Sequence, residues 1–142
     1  MEEKSNLSVR EITISGVLDS LKSLPKVKEN ISKVSQLIIS GEYKLAMELF
    51  LESLEWINWF NKILQGVEVI IGVKMEEVKE GDISLADTQR ELKNILENLV
   101  FSFKEKNWVE ISDILEYQLV PNLEIWIRGV PELIKILDKK LN

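Results

Sequence analysis

The sequence predicts an all-α protein: an up-and-down helical bundle of about five helices, the last one kinked at Pro121. Apolar residues recur at steps of three to five along almost the whole chain. The segments they define are joined by connections of a few residues rich in Gly, Ser and charge. No Gly-rich loop follows a strand-like run, and neither a phosphate-loop pattern nor a heptad run is evident.

Val9, Ile12, Val17, Leu21 and Leu24 set out a first helix near 7–23, although "VREITI" (residues 9–14) read alone also suits a strand. Pro25 fits the first turn of a second helix carrying Val27, Ile31, Val34 and Ile38, which "SG" at 40–41 ends. The third helix runs from about Glu42 to at least Leu64, with Gly66 and Gly72 placed to weaken or bend it. "KEGD" at 79–82 breaks the chain. Ser84 or Asp82 then caps a fourth helix with Leu85, Leu92, Ile95, Leu96, Leu99 and Phe103. Asn107 caps a last helix from Trp108 towards Leu141. Pro121 lacks the N–H owed to the Tyr117 carbonyl, which predicts a kink or break, and Pro131 offers a further division.

At 142 residues the chain fits one domain spanning 1–142, able to bury about two-thirds of the surface its unfolded form exposes. With 45% hydrophobic and 30% charged residues it is too apolar for disorder and too charged for a membrane interior. Its most apolar stretch, "GVEVIIGV" (66–73), contains Glu68 and is followed by Lys74. The N-terminal "MEEKSNLSVR" lacks the apolar core of a secretory signal, and a cytoplasmic location is expected. Cys and His are absent, which removes thiol nucleophiles, zinc–thiolate sites, the usual general base and the commonest transition-metal ligand. No catalytic residue, cofactor or metal is expected. A formal charge of -6 argues against nucleic-acid and anionic-lipid partners.

"LESLEWINWFNKI" (51–63) packs Trp56, Trp59 and Phe60 into five residues. At 100° per residue, Tyr43, Ala46, Met47, Phe50, Leu54, Ile57 and Leu64 form one stripe, flanked by Leu49, Trp56 and Phe60. Trp56 and Phe60 are therefore read as core. Trp59 falls among Glu48, Glu52, Glu55 and Lys62 on the charged face. An indole there is either covered by another segment of the chain or presented to a partner. Asn58 and Asn61 lie on or beside the stripe, where a buried amide fixes register or lines a polar pocket.

In "NWVEISDILEYQLVPNLEIWIRGV" (107–130) Trp108, Ile111, Leu115, Leu119 and Trp126 line one side, and Glu110, Asp113, Glu124 and Arg128 the other. Glu116 projects close to Leu119, Val120 and Leu123, near the apolar side. It is a rim residue with its head in water, a buried charge answering a Lys or Arg, or a functional acid. Di-metal carboxylate bundles need histidine, and "EGDISLADTQRE" (80–91) lacks a calcium loop's alternating acids. The acid-rich turn of Glu76, Glu77, Glu80 and Asp82 is read as a solvated loop.

"SGEYKLAMELFLESLEWINWF" (40–60) resembles the Gly–acid turn, small–apolar helix and Trp-bearing segment of uncharacterised helical-bundle proteins of clostridia-like Firmicutes. "DILEYQLVPNLEIW" (113–126) is similar to their second hallmark, an Asp-x-Leu-Glu-Tyr segment followed by Pro, matched by Asp113, Leu115, Glu116, Tyr117 and Pro121. The resemblance covers the chain from about residue 15 and implies a helical cytoplasmic protein without an established activity. A weaker likeness, of size, charge and helix–"SGEY"–helix texture, is to flagellar export chaperones. Heavy use of Ile, Lys, Glu and Asn fits an AT-rich bacterial genome.

The expected role is a non-enzymatic bundle that binds protein, either another chain or itself, through Trp59, Trp108 and Trp126. The competing expectation is a small-ligand binder or enzyme with Asn61, Glu116 and Tyr117 in a pocket between helices.

Overall fold

Heptad seams organise the bundle. The computed structural model describes the backbone of residues 2–141 and the side chains of 9–140. Among these residues the chain forms four helical rods, so the all-α bundle expected from spacing is what the chain adopts. The first rod is α1 (Glu2–Ile39). Its buried face runs Thr13, Val17, Ser20, Leu24, Val27, Ile31, Val34 and Ile38, alternating steps of four and three. Two of these positions are hydroxylic, which hides the seam from a hydrophobicity pattern. Each hydroxyl is satisfied within the helix, Thr13 donating to the Val9 carbonyl at 2.8 Å and Ser20 to that of Val17 at 2.6 Å.

The helix runs on through Pro25, which therefore does not start a second helix as its position suggested. Pro25 is exposed, as is Leu21, whose carbonyl loses its helical partner to the proline. On that side the carbonyl can be hydrated, so the helix continues at the loss of one hydrogen bond. Residues 9–14 are helical as well, which removes the strand alternative.

Gly41 ends α1 with φ 78°, while Glu42 N–H donates to Leu37 (2.8 Å) and Gly41 N–H to Ile38 (3.0 Å). This is a Schellman turn. It sends α2 (Tyr43–Gly66) back against α1 as a helical hairpin. The inner face of α2 and its extension is again a seam: Ala46, Phe50, Ser53, Ile57, Phe60, Leu64, Val67 and Ile71. A π turn (Val67–Ile71) carries the rod to Gly72, which at φ 83° stops it.

Residues 73–84 plug one end of the bundle with buried Val73, Met75 and Val78. A 3-10 turn (Met75–Glu77) leads into a hairpin of β1 (Lys79–Glu80) and β2 (Ile83–Ser84), paired antiparallel with Lys79 opposite Ser84. Ser84 caps α3 (Leu85–Lys104), its Oγ accepting from Asp87 N–H at 3.1 Å. Ser84→Ala is expected to lower stability by about 1 kcal/mol, seen as a lower urea midpoint at unchanged slope.

The last rod is α4 (Trp108–Ile114), a π turn (Leu115–Leu119) and α5 (Val120–Leu141). Asn107 caps α4 as expected, accepting from Glu110 N–H at 3.3 Å. The disturbance expected at Pro121 takes the form of that π turn, and the rod continues. Val120 N–H donates to the Leu115 carbonyl five residues back, a pattern in which Tyr117 no longer calls on the missing Pro121 N–H. Pro131 is likewise held inside α5. The rod lies against both α1 and α3, whereas α2 and α3 meet at the Phe50–Phe103 stack, 4.6 Å between ring centroids, and leave a cleft between Asn61 and Lys93.

Candidate functional site

The packed aromatics of residues 56–60 are a stair from core to surface. Trp126 of α5 is fully buried (0% exposed) and meets Phe60 edge-on at 5.1 Å. Phe60 stacks on Trp56 at 5.3 Å, and Trp56 meets Trp59 at 5.7 Å, tilted by 51°. Trp59 ends the stair with 37% of its surface exposed. The sequence put Phe60 and Trp56 in the core; Phe60 is there, and Trp56 is half-buried beneath Trp59.

The three tryptophans grouped as contact residues therefore occupy different environments. Trp126 has no surface to offer a partner, because its face of α5 points into the bundle; it is a core residue. Trp108 is half-buried and stacked on Tyr43 at 4.3 Å, with Phe103 edge-on at 6.0 Å, at the end of the bundle where α1 turns into α2. Trp59 alone lies in a groove, between α1 and α2. On one side is a hollow of about 670 Å³ bordered by Lys22, Lys26, Glu52, Glu55 and Trp56. On the other is one of about 370 Å³ bordered by Glu11, Ile12, Asp19 and Ile63. Trp59 borders both and joins them. Ile12, one of the spaced apolar residues that mark the first helix, is 63% exposed. With Thr13 and Ser20 recognised as seam positions, it falls outside the seam and beside the groove.

The polar trio does not converge. Glu116 is exposed and Tyr117 is 71% exposed on the π turn of the last rod. A wheel drawn for an unbroken α-helix misplaces them, because a π turn adds a residue and rotates what lies beside it. Glu116 is thus a rim carboxylate. Asn61 is half-buried and borders a cleft between α2 and α3 that neither Glu116 nor Tyr117 reaches. Its Oδ1 is buried without a hydrogen-bond partner. Asn58 is exposed and borders the adjoining cleft, so it does not fix the register of the buried seam.

Sequence reasoning missed the rest of that cleft's lining, which includes Arg90 and Lys93 of α3, Glu68 of the π turn, and Lys74 and Glu76 of the connection between them. Each looks like an ordinary solvated charge along its own segment, and only the separation of α2 from α3 brings them together. Glu80, from the acid-rich turn, pairs with Arg128 at 3.3 Å. No group of three or more acidic side chains among the described residues is arranged to hold a metal ion. Among those residues no helix is long and apolar enough to cross a membrane.

A family model described as "Domain of unknown function (DUF8042)" matches residues 17–129. No curated protein and no solved structure matches the chain. These comparisons name no organism and no chaperone, so the clostridial resemblance rests on its quoted motifs and the chaperone likeness on size, charge and texture.

Proposed function

The chain belongs to this family of unknown function, and from that premise we propose that it is a non-enzymatic binding module whose α1–α2 groove takes up an amphipathic helix of a protein partner. The observation that carries the reading is Trp59, a large indole held on the charged side of α2 where two hollows meet. Trp56 and Phe60 support it from behind, so little side-chain freedom is lost when a partner covers it. Ile12 and Ile63 extend the apolar strip, and Lys22, Lys26, Glu11, Asp19 and Glu55 border it as a polar rim. Such a surface suits an adaptor or chaperone-like role, or self-association if the helix comes from a second copy.

Trp59→Ala is expected to weaken capture of the partner by roughly thirtyfold or more, as for a central aromatic anchor, while the melting temperature barely changes. Tagged wild type and variant would be incubated with lysate of the native organism, and the retained chain then titrated in purified form. Sedimentation at several concentrations covers the self-associating case. A large fall in melting temperature with binding intact would sink the proposal, because Trp59 would then serve only to hold α2.

A further inference from the structure

We infer that the cleft between α2 and α3 is a site for a small zwitterion, an α-amino acid with an apolar side chain. This site is separate from the Trp59 groove. On α2, Trp56 and Trp59 lie to one side of the buried seam and Asn58 and Asn61 to the other, so the two grooves flank the same helix on opposite sides.

The cleft measures about 450 Å³, the size of a small-molecule site, and its lining includes buried Met75 and Ala86. Both signs of charge border it: Glu68 and Glu76 against Lys74, Arg90 and Lys93. Among the described residues Glu68, Glu76, Lys74 and Lys93 form no ion pair, and Arg90 pairs only with Asp87 in its own first turn. A cleft that gathers both signs and keeps them apart is complementary to a ligand carrying both.

The two helical sides differ in charge, while Lys74 and Glu76 share the connection between them. Glu68, on the π turn that extends α2, lines one side seven residues on from Asn61. Arg90 and Lys93, three apart on α3, present donors. An ammonium group directed at Glu68 meets a carboxylate that forms no ion pair among the described residues, with Asn61 beside it on the cleft wall. The carboxylate then meets Lys93 and Arg90. The side chain has a place too. A second cleft of about 450 Å³ shares Asn61 and Lys93 with the first and continues between Leu54, Leu96 and Val100.

Calorimetric titration with L-leucine and L-phenylalanine tests the assignment, beside 4-methylpentanoate (leucine without its amine) and isopentylamine (leucine without its carboxylate). At least one amino acid is expected to bind saturably, and both single-charge analogues at least about tenfold more weakly, the effect of losing one charge-assisted contact. Lys93→Met is expected to weaken the amino acid by about the same factor without moving the melting temperature of the free protein, since Lys93 is exposed. Trp59→Ala should bind the amino acid unchanged, which keeps this result independent of the α1–α2 groove. The inference is overturned if neither amino acid binds at millimolar concentrations, if an analogue binds as well as its parent, or if Lys93→Met leaves the affinity unaltered.

Discussion

Trp126→Ala is expected to cost about 3–5 kcal/mol of folding stability, the range for deleting a large buried aromatic side chain. Trp126 has no exposed surface and supports Phe60, and through it Trp56 and the base of Trp59. The loss therefore reaches α2 as well as α5. Against a total of about 5–15 kcal/mol for a domain, it leaves a marginal fold. Trp126→Phe should cost clearly less. The indole Nε1 is buried without an acceptor, so the phenyl ring removes an unsatisfied donor together with some volume. Urea unfolding of the wild type and both variants checks the order. Equal losses for Phe and Ala would mean that the phenyl ring does not refill the space left by the indole.

Gly129→Val should cost roughly 3 kcal/mol, the upper part of the range for overpacking. Gly129 sits on α5 directly against the start of α3, where a Cβ would come 2.5 Å from Leu85 Cδ2. Leu85 is fully buried and so has little room to rotate away. Gly129→Ala meets the same atom with fewer methyls and gains about 1 kcal/mol of helix propensity, so its net loss is smaller. Leu85→Ala provides the control. Its own cavity is destabilising, but combined with Gly129→Val the two losses should fall well short of their sum, because each change relieves the other. An additive cycle would show that α3 and α5 are not in contact at Gly129.

Much of this bundle is legible along the chain because it depends on local chemistry. Asn107 and Ser84 are helix caps since their side chains reach a backbone N–H three residues on, whatever packs around them. Gly41 ends α1 since it adopts a positive φ at little cost. Other features were misread for reasons that can be named. Pro25 looked like a start signal because a proline is tolerated there, yet on the hydrated side of a continuing helix it is accommodated at the loss of one hydrogen bond. The seams of α1 and α2 were obscured by Thr13, Ser20 and Ser53, whose hydroxyls bond to their own helix and so behave as small core residues.

The candidate sites depended less on the sequence and more on the packing. Helical periodicity alone puts Trp59 among charged residues of α2, but whether it is covered there was open in the sequence, and the fold leaves 37% of it exposed. Trp126 follows the same periodicity on a face that points into the bundle towards Phe60, and no local signal separates a covered face from an open one. Glu116 was displaced by a π turn, which widens the helix without a marker of its own beyond the nearby Pro121.

By itself, then, the sequence determined the all-α class, the helix ends set by Gly41, Ser84 and Asn107, and the exposed side of α2. Each of these follows from interactions within a few residues. Only the tertiary structure decided that Pro25 lies within one helix, that Trp126 is core, and that Asn61 faces Lys93 and Arg90 across an open cleft. Those outcomes turn on which helices meet and which stay apart, and that is settled by burial summed over the four rods together.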